Sequence, residues 1–449
     1  MKNEESKAKA KGGKERKKNW KEYTARVEEI QDFLADRIFL RHNVITGRVE
    51  YKTPLSSPEG DTNGLWSNEA PSGGRSGGGW QPISDRIVNS LWAELSQEKP
   101  VRVQDMYRVI ESDFVPEYHP FRYYLDHLPP WNGLNYILEL SVSVSVRGEV
   151  QEQLLFAEYL KKWLVGMVAA WVDDSVVNNV ILVLIGEQGS YKTTWFNYLL
   201  PPELSSYFYT KTNSNRMGRD DLLTLAQYGL VCCEELDTMR PSELNQLKAA
   251  VTMPSIDERA AYAHYHEHRK HIASFCGTGN NAQFLSDPTG NRRWLPFEIE
   301  SIESPREHPF DYTGIYSQAY ALYRQGFRYW FSQQEIRRLA MHNQAFETPR
   351  LEHELASLFF RHPSGAEPGE FMSVARAMQL VSANISQKLS PVYLGRALGE
   401  LGFRRVKYNG VRGYIVKCRS AEEMRSVQQA MAMEATDGEG SVDSSGQCF

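Results

Sequence analysis

Gly186, Glu187, Gln188, Gly189, Ser190, Tyr191, Lys192, Thr193 and Thr194 come directly after an uninterrupted apolar run from Val180 to Ile185. A loop of this composition, entered from a strand and left through a helix, is a phosphate cradle, or P-loop. Backbone N–H groups and the positive helix N-terminus hold phosphate oxygens there. Lys192 would reach the β- and γ-phosphates of a nucleoside triphosphate, and the Thr193 hydroxyl would ligate Mg²⁺. Phosphate loops of the Gly-x-x-x-x-Gly-Lys-Ser/Thr type carry a glycine where this chain has Tyr191. A glycine lets the backbone approach phosphate closely, whereas a tyrosine ring must point away or crowd the site.

A second apolar run, Leu230, Val231, Cys232 and Cys233, ends in the acids Glu234 and Glu235. Downstream of a phosphate loop, one such acid holds Mg²⁺ and its neighbour polarises the attacking water. Glu234 is assigned to the metal and Glu235 to the water, with the roles exchangeable, and Asp237 ranks third. A third run, Ile272 to Cys276, leads into Gly277, Thr278, Gly279 and Asn280. Asn280 at the tip of a strand beside the phosphate-loop strand would orient water or sense the γ-phosphate. Arg292 and Arg293 are candidates for neutralising charge on the transferring phosphoryl group, in their own subunit or in a neighbour's.

Two basic segments suit nucleic acid. Residues 259–271 interleave Arg259, Tyr262, His264, His266, His268 and Lys270; cations neutralise phosphate while rings stack on bases without reading sequence. The alternating histidines would also suit zinc, but no cysteine lies close by in the sequence, and a surface hairpin is the preferred reading. Near the C-terminus, Ser390 and Pro391 open a helix that Gly402 closes. Asn409 and Gly410 then mark a two-residue hairpin turn. Alternation on that hairpin offers Arg405, Lys407 and Arg412 to a phosphate backbone.

These residues need elements to position them. Alternating apolar strands and helices from Val180 to about Glu300 predict a parallel sheet with crossover helices. Helical patterns run from Val27, from Ile83 to about Ile110, from Gln151 to Val172 and over residues 310–350. The glycine- and serine-rich residues 56–80 read as a mobile loop. In residues 1–18, eight lysines and arginines outnumber three glutamates, which predicts a disordered basic arm.

The whole chain has 449 residues, 41% hydrophobic and 24% charged, with a net charge of −5. This is ordinary globular usage, so collagen-like, disulfide-scaffold and wholly disordered classes are excluded. Because no global basic field exists, any polyanion site must be local. Five cysteines, two of them adjacent, argue against a secreted disulfide framework. The strongest apolar stretch, residues 163–172, is too short to span a bilayer. The charged N-terminus lacks the apolar core of a signal peptide, so a soluble, cytoplasmic protein with no membrane partner is expected.

In order, the motifs are Gly186-x-x-Gly189-x-x-Lys192-Thr193, Glu235-Leu236-Asp237, Asp257-x-Arg259-x-x-Tyr262, Gly277-Thr278-x-Asn280 and Gly290-Asn291-Arg292-Arg293-Trp294-x-Pro296. Ahead of them, Pro120 to Gly133 reads Pro-Phe-Arg-Tyr-Tyr-Leu-Asp-His-Leu-Pro-Pro-Trp-Asn-Gly. This series resembles the virulence-associated protein E family, helicase-like P-loop ATPases of phages, plasmids and genomic islands, over about residues 115–350. The family is related to superfamily 3 helicases and viral primase–helicases. The resemblance implies an AAA+-like core, ring-shaped homo-oligomers such as hexamers moving on DNA, and Arg292 or Arg293 as an arginine finger across a subunit boundary.

The expected fold class is α/β, with an AAA+-like P-loop core, a helical N-terminal region and a C-terminal winged helix. The expected divisions are a disordered basic arm (1–22), a mostly helical region (23–114), the ATPase domain with its lead-in (115–310), a helical lid or linker (311–350), the winged helix (351–419) and a largely disordered tail (420–449). The expected function is an ATP- and Mg²⁺-dependent helicase or translocase on single-stranded or forked DNA, working beside replication proteins. Its leading rival is a nucleotide-dependent switch or loader that does not translocate. A P-loop small-molecule kinase leaves the basic hairpin and the winged helix unexplained.

Overall fold

The computed structural model describes residues 24–54, 79–211, 219–258, 267–285, 291–348, 351–365, 367–383 and 389–437. The basic arm, most of the glycine-rich segment and the residues after 437 lie outside the described residues. The chain divides into two compact units, residues 1–345 and 346–449.

The first unit is built on a six-stranded sheet. In chain order its elements are β1 (Val144–Val146), α1 (Val150–Val172), β2 (Ile181–Ile185), α2 (Lys192–Leu199), β3 (Phe208–Lys211), α3 (Arg219–Gln227), β4 (Leu230–Cys233) and α4 (Pro241–Val251). There follow β5 (Ser274–Gly279), β6 (Trp294–Ile302), α5 (Tyr312–Arg324) and α6 (Gln333–His342). Across the sheet the order is β1-β6-β2-β5-β4-β3, parallel throughout except for β1, which runs antiparallel on β6. All five residues of β2 are buried, as befits a strand covered on both faces.

The apolar stretch 163–172 is the C-terminal half of α1, and its side chains are almost all buried. A helix apolar all round belongs inside a protein core. Trp163 Nε1 donates to the Phe275 carbonyl at 2.9 Å, and Trp171 Nε1 to the Gly229 carbonyl at 3.1 Å. On its other side Trp171 stacks on Tyr316 of α5. No helix among the described residues is long and apolar enough to cross a membrane.

The N-terminal region has the expected helices, Val27–Arg37, Asp85–Glu98 and Val103–Ile110, with a core of their own. It also holds a four-stranded sheet of Gln81–Pro82, Arg48–Lys52, Phe39–Asn43 and Glu117–Tyr118, in that order. Two of these strands are two residues long, too short to leave a period-2 signature. Buried Asn43 ties the sheet to the main core by donating to the Tyr207 hydroxyl at 2.6 Å.

The second unit contains helices Leu351–Phe359, Val374–Ser382 and Pro391–Glu400 over an antiparallel sheet. Strand Val411–Cys418 pairs with Arg404–Tyr408, with Glu370–Ser373 and with the short Phe360–Arg361. The expected turn is there: Asn409 (φ +46°) and Gly410 (φ +81°) are both left-handed, as a type I′ hairpin requires. Gly402 (φ +79°) closes the preceding helix. Ser390 is its N-cap by position, although its side chain makes no capping bond. The tail expected to be largely disordered from residue 420 instead begins with a helix, Ala421–Asp437.

Candidate functional site

The phosphate-loop residues connect β2 to α2. Gly186 donates its N–H to the Gly279 carbonyl at 3.2 Å, and a Cβ on it would fall 2.7 Å from Ile299 Cγ1, so only glycine fits. Glu187 and Gln188 are exposed, Thr194 is half-buried, and Gly189 takes φ +87°. Ser190 Oγ donates to the Glu187 carbonyl at 2.7 Å. Lys192, only 8% exposed, turns its ammonium into the loop. It meets the carbonyls of Gly186 (2.8 Å) and Glu187 (2.6 Å), Ser190 Oγ (3.2 Å) and Asn280 Oδ1 (3.4 Å). Burial lowers the Lys192 pKa, and the charges of Asp237 and Glu187 oppose that shift.

Tyr191 adopts φ +60°, a left-handed conformation that glycine takes without strain, and the residue is 47% exposed. A non-glycine residue in this conformation costs about 1–2 kcal/mol. Tyr191→Gly is therefore expected to keep stability level or raise it by up to about 1 kcal/mol, despite glycine's larger entropy loss on folding. Thermal melting tests this, with a helix-interior glycine substitution as the destabilising control.

Thr193 Oγ1 donates to Glu234 Oε1 at 2.9 Å, bringing together the two residues assigned to the metal. These are hard oxygen donors, the chemistry that suits Mg²⁺. Glu235 is exposed and left-handed (φ +53°). With Asn409 at the hairpin turn, Tyr191 and Glu235 are the only non-glycine residues of positive φ among those described, so such strain gathers at this site.

Asp237, ranked third from sequence, is held more firmly than Glu235. Its Oδ2 accepts the Asn281 N–H at 3.0 Å, while Oδ1 is buried without a hydrogen-bond partner among the described residues. A Cβ on Gly279 would sit 3.2 Å from that oxygen. The carboxylate thus fastens the acid-bearing segment to the turn that carries Asn280. Asp237→Ala should release this turn and, where the site hydrolyses ATP, lower turnover by roughly 10- to 100-fold, the scale of a small misplacement at a reacting centre. Steady-state kinetics at saturating ATP would read it.

Arg292 and Arg293 lie elsewhere. In the parallel register Trp294 pairs with Ile181 and Glu298 with Ile185. The two arginines therefore enter the sheet at the edge opposite the phosphate loop, five strand residues or roughly 16 Å away. Of the two alternatives left open by the sequence, action within the same subunit is excluded by this distance. Arg292 is exposed; Arg293 is half-buried, and burial followed by the charge of Arg292 lowers its pKa.

Strands Ser255–Glu258 and Glu267–Lys270 form an antiparallel pair leading into the N-terminal end of β5, with Lys270 exposed. Arg259, Tyr262, His264 and His266 lie outside the described residues. His268 Nδ1 is 2.6 Å from Asp257 Oδ1. Among the described residues no group of three or more His, Cys, Asp or Glu could hold a metal ion. In the second unit Arg405, Lys407 and Arg412 are all exposed on the hairpin.

Comparison with solved structures finds similarity to the apo structure of the NrS-1 C-terminal region, at 12% identity and a TM-score of 0.47, covering 86% of this chain and 98% of that one. An A-form apo structure of the same region gives 12% identity and a TM-score of 0.46 over the same shares. No curated protein matches the sequence. The virulence-associated protein E-like domain matches residues 130–348, which take in the phosphate loop, both acids, Asn280 and the arginine pair. That match covers 219 of the 449 residues, and it is to the family that the motif series resembles.

Proposed function

We propose that the protein is a DNA-stimulated P-loop ATPase of a mobile element, a helicase or translocase acting on single-stranded or forked DNA during replication. The observation that carries this reading is the 2.9 Å bond between Thr193 and Glu234, made beside a lysine that four loop and strand-tip acceptors surround. The order β6-β2-β5-β4-β3, with one strand between the phosphate-loop strand and the acid-bearing strand, supports an AAA+-like core. Helices and a basic hairpin in the second unit support a winged helix.

In this mechanism the loop amides from Gly186 to Thr194 bind the triphosphate and Lys192 holds its β- and γ-oxygens. Thr193 and Glu234 would hold Mg²⁺, which would supply neutralising charge to those phosphates. Glu235 takes the proton of the attacking water, Asn280 orients that water, and Asp237 keeps Asn280 in place. Arg292 or Arg293 reaches the phosphoryl group of a neighbouring subunit in a ring-shaped homo-oligomer. Arg259, Tyr262, His264, His266 and Lys270 form one DNA contact and Arg405, Lys407 and Arg412 another.

The decisive experiment measures ATP hydrolysis with and without single-stranded DNA, alongside particle mass. Stimulation by DNA in a multi-subunit particle is expected. Calorimetry that detects no heat for Mg-ATP would end the proposal. A second reading, a nucleotide-dependent switch or loader of replication proteins that does not translocate, draws on the left-handed Tyr191. ATP binding without turnover would favour it.

A further inference from the structure

We propose that the groove between helix Pro391–Glu400 and the hairpin of the second unit grips DNA phosphates without reading bases, and that Arg396 is one of its contacts. This rests on the DNA-binding part of the proposed function and adds a residue and a mode of recognition to it. In the hairpin register Arg405 faces Tyr414 and Lys407 faces Arg412, so these four side chains share one face. The Tyr414 hydroxyl donates to the Gly395 carbonyl at 2.6 Å, which turns that face toward the helix. An open groove of about 570 Å³ results, lined by Arg396 from the helix, Arg405 and Arg412 from the hairpin, Tyr414, Val392 and Glu400.

Arg396, Arg405 and Arg412 line one groove, yet among the described residues no ion pair joins any of them to an acid, Glu400 included. Arg361 of the same unit, by contrast, is paired with both Glu367 and Glu423. Three unpaired like charges around one groove repel each other, and a run of phosphates turns that repulsion into binding.

Base reading is disfavoured by the helix itself. Its sequence, Pro-Val-Tyr-Leu-Gly-Arg-Ala-Leu-Gly-Glu, holds no Asn or Gln for an adenine edge, and its one candidate for a guanine edge, Arg396, lines the groove beside Arg405 and Arg412. Phosphate contact at the groove therefore fits these side chains better than insertion of the helix.

The test uses the full chain and three labelled duplexes of equal length and unrelated sequence, with binding followed by fluorescence anisotropy over a salt series. Arg396→Ala is expected to weaken all three by the same factor and to reduce the log K against log salt slope by about 1. Arg404→Ala, on the opposite hairpin face, is the control and should leave the slope unchanged. A wild-type slope in Arg396→Ala, a loss confined to one duplex, or an equal loss in Arg404→Ala overturns the inference while leaving DNA binding intact. A wild-type chain that binds none of the duplexes overturns the inference, and one that also fails to bind labelled forked DNA overturns the DNA-binding part of the proposed function as well.

Discussion

Replacing Arg292 and Arg293 together by alanine is expected to lower ATP turnover by about 10³-fold or more, the scale on which an arginine finger acts. Nucleotide affinity should change far less, because the pair enters the sheet at the edge opposite Lys192. The same geometry makes a sharper statement. A chain lacking these arginines retains an intact phosphate loop, and a Lys192→Ala chain retains intact arginines. Mixing the two inactive variants should restore part of the activity, since some subunit boundaries then pair a good loop with a good arginine. No recovery in a mixture shown by mass to contain both variants would remove the arginines from the reaction. Activity in the double variant close to that of the wild type would do the same.

Lys192→Ala by itself should abolish detectable Mg-ATP binding by calorimetry and lower turnover by at least about 10³-fold. The ammonium holds the loop through the Gly186 and Glu187 carbonyls, so the expected loss combines charge with loop order. Lys192→Arg retains the charge in a shape that cannot repeat those contacts, and should remain impaired. The Thr193–Glu234 bond supplies a companion measurement. Thr193→Ala and Glu234→Gln should each be severe, and the double variant little worse than either, as the proposed sharing of one ion requires. Full additivity of the two losses would separate them and undo the shared metal assignment.

Much of this site was legible before any fold was known. A continuous apolar run ending in glycine, and another ending in two acids, are local patterns, and each was placed on the strand that bears it. The hairpin turn at Asn409 and Gly410 was equally local, since left-handed residues advertise themselves. The two-residue strands of the N-terminal sheet and the helix Ala421–Asp437 were missed. The strands are too brief to show a period, and the helix runs into a glycine- and serine-rich end that masks its start.

The sequence alone determined which side chains are present and which strand, loop or turn holds each, because hydrophobic period and turn chemistry act over a few neighbouring residues. Only the tertiary structure decided which edge of the sheet each motif occupies. Strand direction and register put Lys192, Thr193, Glu234 and Asn280 at one edge and sent Arg292 and Arg293 to the other. They also set Asp237 beneath the Asn280 turn and drew Arg396 alongside Arg405 and Arg412. Pairing across the sheet joins residues far apart in the chain, and no local pattern encodes that distance.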